Sequence, residues 1–163
     1  MRTWQSLVVA GILIVLDSHG STAQNLTECQ SVSGAFHQLA RNVISRHENG
    51  GNWSYSAACI RIESVDVLGE IQTKLNLRIK PAAEFRPIQN IAHLLPELFW
   101  GGLKNASPDS VEALVRAVNS FTPQESATVS VGPWYVGGGS GSMIVVFLPK
   151  ARIALVMRTG HSS

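Results

Sequence analysis

The sequence predicts an α+β domain, with the order helix, two strands, helices and three strands, and three observations carry that expectation. Residues 32–44 repeat apolar positions at helical spacing, residues 71–80 alternate at period two, and Met143–Leu148 and Ile153–Met157 are apolar on both faces. Together they describe a single antiparallel or mixed sheet of about five strands with the helices packed on one face.

The first helix is expected from Thr27-Glu28-Cys29-Gln30, which fits a capping box. Val32, Phe36, Leu39 and Val43 then form one stripe, and Asn49-Gly50-Gly51 supplies the stop. A strand follows in which Ile60 and Ile62 alternate with Arg61 and Glu63, continuing through Val65 and Val67 to Leu68-Gly69. Ile71, Thr73, Leu75, Leu77 and Ile79 alternate with polar residues up to Pro81, so a second strand and a hairpin are expected. Residues 85–121 read as helices in pieces. Pro96 suits a first helical turn, and Ser107-Pro108-Asp109 is an N-cap, a proline and an acidic first turn. Thr128–Val131 opens the last strands, which pass through Gly132–Val136 and a loop at Gly137–Gly141. Pro149–Arg152 turns between the last two.

Residues 1–23 read as a signal peptide. Arg2 gives the basic start, Leu7–Leu16 is a ten-residue apolar run, and Ser21-Thr22-Ala23 sets small residues before a cut at Ala23/Gln24. A bilayer span needs roughly 20 apolar residues, so this run is too short for an anchor. The remainder, residues 24–163, is expected to be one domain in a secreted or extracytoplasmic compartment, the periplasm in a bacterium. No membrane association is expected after cleavage. Removing the leader takes away Arg2 and Asp17, leaving 12 basic and 10 acidic residues. A net charge of +2 gives no footprint for nucleic acid.

Cys29 and Cys59 are the only cysteines. In an exported chain they read as one disulfide, and no His or Cys stands at ligand spacing from either, so no metal site and no cofactor are expected. Asn25, Asn52 and Asn105 open the three sequons and are candidate glycosylation sites.

No motif in the chain specifies a catalytic centre. Gly137–Ser142 is rich in glycine, but a strand rather than a helix follows it, which makes it a hairpin loop before a phosphate cradle. His37, His47 and His93 stand apart from one another, and Glu63, Asp66 and Glu70 bracket the expected hairpin. Lys74, Arg78 and Lys80 share one face of the expected second strand, with Arg61 across from them. They form either an anion patch or a guard against edge pairing. Leu94, Leu95, Leu98, Phe99 and Trp100 cluster as core packing or, alternatively, as a membrane-active segment.

Two resemblances are carried by short stretches. Gly139-Ser140-Gly141, Val146–Lys150 and Ile153–Met157 look like the closing hairpin of serine β-lactamases. That family's Ser-x-x-Lys is absent, and its Lys-Thr-Gly position reads Val-Gly-Gly, so the resemblance implies a hairpin and not the acylation chemistry. Val65–Gly69 and Pro133-Trp134 are similar to the two inhibitory hairpins of cystatins, with Val65 in place of their glutamine. That resemblance implies an inhibitor-like domain with both segments at hairpin tips.

The expected function is a secreted, non-enzymatic binding or interaction module whose partner is a protein or other extracytoplasmic ligand. Its candidate surface is Pro133, Trp134, Tyr135, Gly138, Gly139 and Ser140, with the two aromatics exposed as anchors. The alternative is a small secreted hydrolase with a site assembled from distant residues. His93 or His37 would then act with Glu63 or Glu70.

Overall fold

The computed structural model describes residues 18–44, 52–79, 84–87, 90–99, 103, 106–122, 127–136 and 139–162. Helix α1 (Ser18–Ile44) is followed by β1 (Asn52–Arg61), α2 (Val67–Leu75), and the two short strands β2 (Arg78–Ile79) and β3 (Arg86–Pro87). A 3₁₀ turn (Ile91–His93), α3 (Leu95–Leu98) and α4 (Pro108–Phe121) lead to β4 (Thr128–Val136), β5 (Gly139–Leu148) and β6 (Ile153–Ser162). The chain is thus α+β, with four α-helices and a six-stranded antiparallel sheet among the described residues.

The sheet runs β1-β6-β5-β4, and both β2 and β3 pair with the far edge of β4. β5 and β6 lie in the middle because their side chains are apolar on both faces. Met143–Leu148 and Ile153–Met157 are all buried. They join through the turn at 149–152, where Arg152 takes a left-handed backbone with φ 56°. The hairpin implied by the β-lactamase resemblance forms, paired from Gly139 opposite Ser162 to Leu148 opposite Ile153.

A strand buried on both faces needs two covers. One face carries α1, α3 and α4, with Cys29, Val32, Phe36, Leu39 and Val43 of α1 packed over Val146, Leu155 and Met157. The N-cap of α4 forms as expected: Ser107 accepts from the Ser110 N–H, and Pro108 opens the helix. Pro96 likewise sits in the first turn of α3. Leu95, Leu98 and Phe99 are buried in this cluster, which is the core-packing reading of that segment.

The opposite face is covered by α2, so the helices do not share one face as expected. Val67 and Ile71 of α2, together with Leu77 and Ile79, pack over Met143, Val145 and Val156. The period-two reading of residues 71–80 fails here, and the hairpin with it. Ile71 and Leu75 are four apart, a spacing that serves a helix as well as a strand. The ends decide between the two. Asp66 caps the helix by accepting from the Gly69 N–H at 2.9 Å, and Asn76 closes it in the left-handed region with φ 48°. Among the described residues of the expected strand only Arg78 and Ile79 pair in the sheet, and β3 supplies the sixth strand.

The first helix also differs. It is already helical at Ser18, so Thr27 lies inside it and no capping box forms; the Thr27 hydroxyl instead donates to the Ala23 carbonyl at 3.1 Å. The first strand starts at Asn52 and ends at Arg61. The expected turns at 49–51 and 137–138, and the prolines at 81 and 123, lie outside the described residues.

Cys29 and Cys59 are bonded, with their Cα atoms 6.0 Å apart. The bond ties the start of the buried α1 stripe to β1, an edge strand of the sheet. Breaking it should cost about 2–5 kcal/mol, by freeing a loop that the unfolded chain otherwise has closed. A Cys29→Ser/Cys59→Ser variant should therefore melt several degrees below the bonded protein in calorimetry, about 2–8 °C for each kcal/mol lost. An unchanged melting temperature contradicts this role.

Candidate ligand-binding surface

Trp134 and Tyr135 are neighbours on β4, so their side chains leave the sheet on opposite faces. Tyr135 is 42% exposed, whereas Trp134 is only 5% exposed, a correction to the expectation that both anchor a surface. The reason lies in two glycines. Trp134 stands opposite Gly141 of β5, which stands opposite Gly160 of β6. A Cβ at Gly160 would lie 2.3 Å from the indole, and one at Gly141 would lie 1.9 Å from the Thr159 carbonyl oxygen. The indole lies over this bare patch, its N–H donating to that carbonyl at 2.9 Å. The Arg158 guanidinium covers the ring at 5.0 Å and donates to the Ser56 hydroxyl at 2.6 Å. Partial burial lowers the Arg158 pKa from its ordinary value.

The rest of the candidate surface divides. Pro133, Tyr135 and Ser140 are exposed, Gly139 is half-buried, and Gly138 lies outside the described residues. Tyr135 stands opposite Ser140, Ser140 opposite His161 and His161 opposite Trp53. These four side chains form one row across four strands at the end of the sheet, on the face that α1 and α3 cover further along. The Trp53 and His161 rings meet edge-on, 5.6 Å apart. One row inward, the covered part begins: Thr159 donates to the Leu98 carbonyl, and Tyr55 meets the His37 ring.

A cleft of about 480 Å³ opens beside this row on the same face. Val129, Val131, Gly132 and Pro133 of β4 and Ser142 of β5 line its floor. Glu84 and Arg86 stand on the sheet-edge side, and Leu94 and Glu97 on the helical side. Neither this cleft nor the partners of Tyr135 were legible as a motif, because their residues come from four separate stretches of chain.

Other expected site residues are placed differently. Val65–Gly69 is the loop and first turn of α2, and Pro133-Trp134 lies inside β4. Neither is a hairpin tip, so the geometry implied by the cystatin resemblance does not form. Lys74 is on α2, where it pairs with Glu70 at 2.6 Å and donates to the Arg61 carbonyl at 2.7 Å. Arg78 is on β2, so the expected basic row is divided between a helix and a strand, and Lys80 lies outside the described residues. His37 Nδ1 lies 2.7 Å from the Ser33 carbonyl, within its own helix. No described contact brings His37 or His93 to a carboxylate. Among the described residues, no three His, Cys, Asp or Glu side chains gather as a metal site. Asn25 lies on α1 and Asn52 begins β1, while Asn105 and His47 lie outside the described residues. Comparison with models of protein families, with curated proteins and with solved structures finds no match for this chain.

Glu70, one of the expected catalytic carboxylates, is occupied in holding the loop before α2. It accepts from the Ser64 N–H at 2.6 Å and the Glu63 N–H at 2.8 Å while pairing with Lys74. Those contacts, the Lys74 hydrogen bond foremost, lower its pKa to about 2 from 4.5. Because the folded value is the lower one, the stabilisation is complete above about pH 4.5 and is lost as pH falls through about 2. Glu70→Gln should melt below the wild type at neutral pH, and the gap should close between those two values in acid melting curves. A gap that is constant with pH contradicts the assignment.

Proposed function

We propose that this chain is an exported, non-enzymatic binding module that meets an extracytoplasmic partner, in the first instance a protein, through the exposed end of its helix-covered sheet face. The observation that carries the reading is the row Tyr135–Ser140–His161–Trp53, three rings and a hydroxyl presented side by side by four strands. Aromatic side chains on a rigid support lose little conformational freedom when they dock, which suits them as anchors. Pro133 and Gly139 border the row.

Export is supported from several sides. The chain opens with a short apolar run and a small-residue cut site at Ala23. It holds a disulfide, the mark of an oxidising compartment. The buried stripe of α1 begins at Cys29, so a cut after Ala23 removes no described core residue. Among the described residues no helix is long and apolar enough to cross a membrane. In a host that glycosylates, Asn25, Asn52 and Asn105 are the acceptors to examine.

The test is affinity capture from the native secretion compartment, with the mature protein, Tyr135→Ala, and Arg116→Ala on the exposed face of α4 as control. A partner held by the mature protein and the control, and weakened about tenfold or more by Tyr135→Ala, is the expected result. Equal recovery on all three contradicts the assignment of the surface.

A further inference from the structure

The cleft beside the row has a construction of its own. The outer side of β4 carries two short partners. Arg78 and Ile79 pair opposite Tyr135 and Trp134, and Arg86 and Pro87 opposite Val129 and Thr128. Between them residues 130–133 have no strand partner on that side among the described residues. The cleft opens beside this stretch of β4, over the side chains of Val129, Val131 and Pro133. Its volume of about 480 Å³ falls within the range of small-molecule sites.

Three charged side chains border the cleft. Glu84, Arg86 and Glu97 line it, and none has an ion-pair partner among the described residues; the two pairs present, Lys74–Glu70 and Arg116–Glu112, lie on α2 and α4. The two carboxylates stand on opposite sides, Glu84 with Arg86 at the sheet edge and Glu97 on α3, so this lining carries an excess of negative charge. An apolar floor flanked by two carboxylates complements a molecule with an apolar body and a cationic head. Its N–H groups have the carboxylates as charged acceptors.

We propose that this cleft is a binding site for a small organic cation, an amine with a compact apolar body. The site shares only Pro133 with the surface proposed above, and stands whether or not that surface engages a macromolecule. Glu84 and Glu97 hold the ammonium group, Leu94 and the β4 valines take the body, and Arg86 opposes the charge.

Titration of the disulfide-bonded protein with 2-phenylethylamine, followed by amide NMR, tests it, with 3-phenylpropionate as the probe of similar body and opposite charge. The amine should give saturable shifts at the amides of Val129, Val131, Gly132 and Ser142. Glu84→Gln/Glu97→Gln should weaken its binding about tenfold, and Arg86→Gln should tighten it. These side chains are exposed, so the variants keep the fold, which the unchanged remainder of each spectrum verifies. No shifts at these amides, equal or tighter binding of 3-phenylpropionate, or full-strength binding to the double variant overturns the proposal.

Discussion

The two central strands are apolar on both faces, and the remainder of the structure follows from the need to keep both faces dry. Each fully buried aliphatic side chain in β5 and β6 contributes about 1.5–3 kcal/mol relative to exposure, but only if something covers it. On one side the cover is the α1 stripe with α3 and α4; on the other it is α2, with Leu77 and Ile79 beside it. The sheet is therefore the middle layer of three. The disulfide secures the larger cover where α1 first becomes buried, at Cys29.

Coverage ends before the sheet does, and the two faces solve this differently. On the α2 side, Trp134 lies across Gly141 and Gly160, where there are no side chains to pack, and Arg158 covers it. On the other side nothing comparable among the described residues covers Tyr135 and Ser140, which stand exposed. The alternation of one strand thus sends one aromatic inward and its neighbour outward. That asymmetry places the candidate surface at one corner of one face.

Much of this was legible in the sequence where a signal is local or repetitive. Continuous apolar runs placed β5 and β6 centrally, the stripe from Val32 to Val43 placed α1, and Ser107-Pro108 began α4 where a capped helix should begin. Two cysteines left one possible pairing. Failure came where local patterns are degenerate. Ile71 and Leu75 fit both periods, and only the cap at Asp66 and the left-handed Asn76 select the helix. Burial of Trp134 depends on which residues oppose it across two strands, so a nearby glycine loop suggested exposure instead. The cleft has no sequence signature at all, since Glu84, Glu97, Val131 and Ser142 meet only through the pairing of β3, β4 and β5 and the docking of α3.

The doubly buried hairpin should be the last part of the molecule to open, while the α2 cover, a single nine-residue helix, opens sooner. Native-state hydrogen exchange measures this directly. The account predicts that amides of Met143–Leu148 and Ile153–Met157 exchange only with global unfolding, and that those of α2 exchange earlier at lower free energy. Exchange of the β5 and β6 amides ahead of those in α2 would contradict it.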